Sequence, residues 1–123
     1  MAPDYFTAYV KRSWVYQIQH NYDAALADLE RAIKLEPYFA DAYIERGMLW
    51  MEIGHKKEAL DNYQKALAID PFNFDVLLKR GEVYFALEQY DLALEDFTKA
   101  LALEPASTDA ARYRSYCLTK MGR

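Results

Sequence analysis

Four prolines, Pro3, Pro37, Pro71 and Pro105, stand 34 residues apart along a chain of 123 residues. Arg12, Arg46, Arg80 and Arg114 keep the same step, and so do Ser13, Gly47, Gly81 and Ser115. A fixed period of this length means copies of one supersecondary unit, each burying apolar surface against the next. No other feature of the sequence restricts the fold as much.

The columns sort by size. Small residues recur at Ala25, Ala59 and Ala93 and at Ala32, Ala66 and Ala100. Large ones recur at Tyr9, Tyr43 and Leu77, at Tyr16, Trp50, Tyr84 and Leu118, and at Leu29, Tyr63 and Phe97. Small side chains let helix backbones approach, and the large ones fill the space left between them. Each proline removes a backbone donor and restricts the residue before it, so it ends a helix. Between prolines the pattern divides again near His20, Gly54 and Glu88. The spacing predicts helices over 6–19, 22–35, 40–53, 56–69, 74–87, 90–103 and 108–121, each about 21 Å long at ~1.5 Å per residue. Asp23, Asn73 and Ser107 mark helix starts. No strand is expected.

The stretches GMLWMEIGHKKEALDNYQKALAIDP and GEVYFALEQYDLALEDFTKALALEP closely resemble the tetratricopeptide repeat family. The resemblance covers residues 6–121. It departs where the family often has leucine before the glycine and this chain has Arg12, Arg46, Arg80 and Arg114. It implies an all-α, right-handed superhelical solenoid in one domain, residues 1–123. Three helix-turn-helix repeats, 6–39, 40–73 and 74–107, would be followed by a capping helix over 108–121. It also implies a protein-protein interaction module.

In an antiparallel helix pair, residues equally far from the turn face each other. The arginine column is therefore expected to bridge the two helices of each repeat, pairing Arg12 with Asp28, Arg46 with Asn62 and Arg80 with Asp96. Arg114 has no such partner. The alternative, a ladder of guanidinium groups for an acidic ligand, is the less favoured reading. Carboxylate pairs such as Asp28 with Glu30 and Glu95 with Asp96 read as solvated faces.

The first helices carry apolar residues that their partner helices do not account for. A helix apolar on two faces is either buried on both or open to a partner. Trp14, Met48, Glu82 and Tyr116 point most directly away from the core. Val10, Ile44, Met51, Leu78 and Phe85 sit at the edge of the same face, where a neighbouring repeat can cover them. With Tyr113 these ten form the candidate peptide-binding groove. Aromatics and methionine there suit an apolar peptide or helix of a partner protein. Family members that hold the acidic tails of heat-shock chaperones use a clamp of lysine, asparagine, asparagine, lysine and arginine. The matching positions here are Val10, Trp14, Glu45, Asp75 and Lys79, of which one is basic. That partner is not expected.

Charge and chemistry exclude other classes. A net charge of −4 with no basic stripe argues against nucleic acid. An apolar fraction of 53% beside 28% charged residues is that of an ordered soluble chain. No apolar run reaches the ~18 residues of a membrane span, and MAPDYF does not read as a signal peptide. A cytoplasmic protein is expected. The single cysteine, Cys117, cannot form an internal disulfide. Its column, with Val15, Leu49 and Val83, reads as buried packing. His20 and His55 read as turn residues without metal spacing. Neither an enzyme, a cofactor nor a metal is expected. The alternative function is structural: the unit would self-associate, or form part of a longer array from which this chain is a piece, stacking through its ends.

Overall fold

The protein is described by a computed structural model over residues 5–123. Seven helices follow one another: α1 (Tyr5–Ile18), α2 (Tyr22–Leu35), α3 (Ala40–Ile53), α4 (Lys56–Ile69), α5 (Phe74–Ala86), α6 (Tyr90–Leu103) and α7 (Thr108–Lys120). There is no strand among the described residues. The helices form two compact units, Met1–Ile69 with α1 to α4 and Asp70–Arg123 with α5 to α7.

Each of the three helix pairs turns at one left-handed residue: His20 at φ 59°, Gly54 at φ 101° and Glu88 at φ 61°. The next amide then reaches back five residues to a helix carbonyl, Asn21 to Tyr16, His55 to Trp50 and Gln89 to Tyr84, at 2.8, 2.8 and 2.9 Å. This closes orphaned carbonyls at the helix end. Gly54 meets the φ requirement without a Cβ penalty, whereas His20 and Glu88 hold it with a side chain present. The same bond recurs after α7, where Gly122 has φ 77° and the Arg123 amide reaches Leu118 O at 2.8 Å.

Pro37, Pro71 and Pro105 each stand two residues beyond a helix end. The residues before two of them leave helical geometry, Glu36 at φ −140°, ψ 87° and Glu104 at φ −131°, ψ 83°. Pro3 lies outside the described residues. Asn73 and Ser107 cap α5 and α7 by accepting from the Val76 and Ala110 amides at 3.2 and 3.1 Å. The start of α2 is corrected. Asn21 is its cap, accepting from the Ala24 amide at 3.4 Å, and Asp23 lies inside the first turn.

The small column sets how closely the helices pack. A Cβ placed on Gly47 would come within 2.6 Å of the Tyr63 ring, and one on Gly81 within 2.6 Å of the Phe97 ring. Glycine is therefore required for the rings to lie flat on α3 and α5. In the first pair the same two columns hold Ser13 and the smaller Leu29, both buried. Their neighbours in the first unit are Ala25, Ala32, Ala42 and Leu49, with Phe6 set edge-on to Phe39 at 5.1 Å.

Two expectations fail here. Val10, placed in the groove by its spacing, is 4% exposed and belongs to this core with Ala42 and Leu49 of α3. Packing of α3 beside α1 closes over it. Val15, placed in the core by its column, is 50% exposed, although Leu49, Val83 and Cys117 in that column are buried. In α3 this face packs on α2; among the described residues no helix lies before α1 to do the same.

Candidate functional site

The first helices of the pairs carry the arginine column, and the second helices carry its partners. Arg12 grips Asp28 with two hydrogen bonds, Nε to Oδ2 at 2.7 Å and Nη2 to Oδ1 at 2.6 Å. Arg80 repeats this on Asp96 at 2.8 and 2.7 Å. Such forked pairs combine charge with fixed geometry. Arg46 makes a single bond, from Nε to Asn62 Oδ1 at 2.6 Å. Asp28 and Asp96 are buried, which corrects the reading of their helix faces as solvated throughout. Asp28 also receives Arg31 Nη1 at 2.8 Å. Hydrogen bonds from Arg12, together with both guanidinium charges, outweigh burial and hold its carboxyl below the usual carboxylate range. No spacing argument had marked Arg31. An exposed arginine three residues along a helix reaches an acid only if its rotamer allows it.

In the first unit, α1 and α3 leave large apolar side chains in water. Trp14 is 46% exposed and Met48 is 40% exposed; Ile44 and Met51 are half-buried. In the second unit, Tyr116 is 49% exposed and packs edge-on to Tyr113 at 6.4 Å. Leu78, Phe85 and Tyr113 are half-buried. Tyr113 stacks on Phe97 at 5.0 Å and donates its hydroxyl to Glu82 Oε1 at 2.6 Å, tying α7 to α5. Glu82 is thus already engaged within the unit. Phe85 is set against Tyr90 of α6 at 5.2 Å.

The Glu82 carboxylate favours the neutral phenol of Tyr113, and burial adds to this, so its pKa is pushed up to about 12. A pKa raised on folding gives stability that is complete below the ordinary tyrosine value of about 10 and is lost as pH rises through the folded value. The ultraviolet difference titration between wild type and Tyr113→Phe should show one phenol ionising near 12. A midpoint near 10 would mean that the bond to Glu82 is not maintained in solution.

A further apolar cavity of about 360 Å³ lies in the second unit, lined by Pro71, Phe72, Leu77, Ala102 and Leu103 with Lys99 at its edge. The groove expectation did not include it. Its signal was the aromatic that follows each of two prolines, Tyr38 and Phe72, both strongly exposed.

Burial pushes the Cys117 thiol up, away from the thiolate a nucleophile needs. His20 Nδ1 lies 3.0 Å from the Tyr22 hydroxyl, and His55 Nδ1 lies 3.5 Å from Glu58. Among the described residues no group of three or more histidine, cysteine or acidic side chains is placed to hold a metal ion. None of the described helices is long and apolar enough to cross a membrane.

Sequence profiles described as tetratricopeptide repeat match residues 6–39 and 74–107, and one described as TPR repeat matches 50–88. The chain belongs to the tetratricopeptide repeat family. No curated protein matches it by sequence. Among solved structures it is similar to the first TPR of Spaghetti (RPAP3) bound to HSP90 peptide SRMEEVD. That likeness has a TM-score of 0.90 and 19% identity, over 100% of this chain and 98% of that one. It is also similar to the Arabidopsis OM64 TPR domain, with a TM-score of 0.84 and 25% identity over 94% of this chain and 95% of that one. The MamA protein has a TM-score of 0.87 and 24% identity, over 98% of this chain and 66% of its own.

Proposed function

We propose that the chain is a protein-protein interaction module that holds an apolar segment of a partner, an extended peptide or a helix, against its first helices. The observation that carries this reading is the exposure of Trp14 and Met48 at the same repeat position on α1 and α3. Large, adaptable apolar side chains left in water at matching places suit the anchors of a bound peptide. Ile44 and Met51 border them in the first unit; Leu78, Phe85, Tyr113 and Tyr116 offer a comparable surface in the second. A solved structure of the same fold holds the HSP90 peptide SRMEEVD, which makes peptide capture a use this fold can serve. The partner here is of different chemistry, because Trp14, Glu45 and Asp75 stand where a clamp for an acidic tail needs basic or amide groups.

Selection of a random peptide library on the immobilised chain tests this, with Met48→Glu in parallel. An apolar consensus recovered by the parent should bind the variant at least about thirtyfold more weakly, the size of a hot-spot loss. Equal enrichment by a variant that melts like the parent would remove Met48 from the site.

A second reading has its own observation. The outer face of α1, with Ala8 and Val15 in water where Ala42 and Leu49 of α3 are buried, suits stacking against a further repeat or a second copy. In that reading no peptide is enriched, and sedimentation shows concentration-dependent association that Val15→Glu abolishes.

A further inference from the structure

In the first unit a cavity of about 440 Å³ opens between α2 and α4, with α3 as its floor. That is within the size range of small-molecule sites. Its floor carries Arg46 and Trp50, and Leu26 forms an apolar wall.

Arg46 differs from its counterparts in its partner. Arg12 and Arg80 are each neutralised by a forked bond to an aspartate, whereas Arg46 faces the neutral amide of Asn62. That amide cannot turn to improve the match. Its oxygen accepts from Arg46 Nε, and its nitrogen donates to the Glu58 carbonyl at 2.8 Å. The terminal nitrogens of Arg46 have no hydrogen-bond partner among the described residues, and no carboxylate there lies within ion-pair distance. Two of the rim carboxylates have cations of their own, Glu30 with Lys34 at 3.6 Å and Asp61 with Lys65 at 2.9 Å, and Glu58 lies 3.5 Å from His55 Nδ1. Lys57 also lines the cavity. The lining itself carries three carboxylates and two positive charges, Arg46 and Lys57; Lys34 and Lys65 answer Glu30 and Asp61 from outside it, so Arg46 and Lys57 are the lining cations without an ion pair among the described residues.

We propose that this cavity binds a carboxylate carried on an apolar group. The carboxylate accepts from the terminal nitrogens of Arg46, which Asn62, accepting only at Nε, leaves without an acceptor. Its apolar portion lies against Trp50 and Leu26. A free organic acid and the C-terminal carboxylate of a peptide ending in an apolar residue share this chemistry.

The test follows the Trp50 indole N–H by NMR, assigned by its persistence in Trp14→Phe, during titration with 3-phenylpropionate and with its amide. The tripeptide Gly-Leu-Phe, with a free or an amidated C terminus, forms the second arm. The acid should shift the signal saturably and the amide should not. Asn62→Asp recreates the pairing of the other two repeats, so it should fold and bind at least about tenfold more weakly, the loss expected when a charged hydrogen bond is already occupied. Arg46→Gln should also lose binding and provides the same reading if Asn62→Asp fails to fold. A response to both acids assigns recognition to the carboxylate alone; a response to the free-terminus peptide only assigns it to a chain end. The proposal is overturned by equal shifts from acid and amide, by undiminished binding in both variants, or by no shift up to roughly 20 mM, where a millimolar site would be mostly filled.

Discussion

Arg80→Leu should lower the unfolding free energy by about 3 kcal/mol, measured by urea denaturation followed through helix ellipticity. Asp96 is buried, and both of its oxygens are bound to Arg80. Removing the guanidinium leaves a carboxylate in an apolar interior with neither hydration nor a counter-charge. The Arg80 side chain keeps 18% of its surface in water, which places the cost at the lower end of those for buried pairs. Arg12→Leu should cost less, because Arg31 remains on Asp28. The double variant Arg80→Leu with Asp96→Leu should recover most of the loss, since two apolar side chains can replace a buried pair at little cost. A loss below about 1 kcal/mol for the single variant, the range of exposed pairs, would show that water reaches the site. Peptide recovery by folded Arg80→Leu should equal that of the parent, which separates a bridging arginine from a binding one.

The second large effect is expected at Phe97. Its ring is fully buried, lies on the backbone of α5 at Gly81 and stacks on Tyr113 of α7. Phe97→Ala should cost about 4 kcal/mol, combining lost transfer energy with the cavity left behind. Glycine has no side chain that could move into that space. Gly81→Ala in the same background is the informative companion. Alone it forces a Cβ to within 2.6 Å of the ring and destabilises. With the ring removed, the added methyl should become favourable. If the two changes simply add, the ring and the glycine are not in contact in solution.

The helix pairs were legible because their signals are local and repeated. A turn at His20, Gly54 or Glu88 fixes which residues lie opposite, so Arg12 and Asp28, or Arg80 and Asp96, follow from counting outward. The helix ends fall within one residue of the spacing because proline and the left-handed turn residue act through the backbone itself. Exposure was harder to read. Val10 and Ile44 share a column, yet one is sealed and the other half-open, because α3 packs beside α1 over Val10. Val15 and Leu49 share another, and their difference lies in which helices surround them. A repeat pattern states what a residue would pack against if every neighbour were alike, and unequal neighbours break that inference. The consequence of Asn62 was likewise hidden. Sequence placed it opposite Arg46, but the hydrogen bond to the Glu58 carbonyl that fixes its amide is visible only in three dimensions.

The forked bonds of Arg12 with Asp28 and of Arg80 with Asp96 each begin and end inside one helix pair. A pair with this bond is electrically self-sufficient at its most buried charge. Duplicating or deleting such a unit therefore never strands an ionised group in the interior. An array assembled from units of this kind can change length in whole steps, and the electrostatics of its remaining units stay as they were.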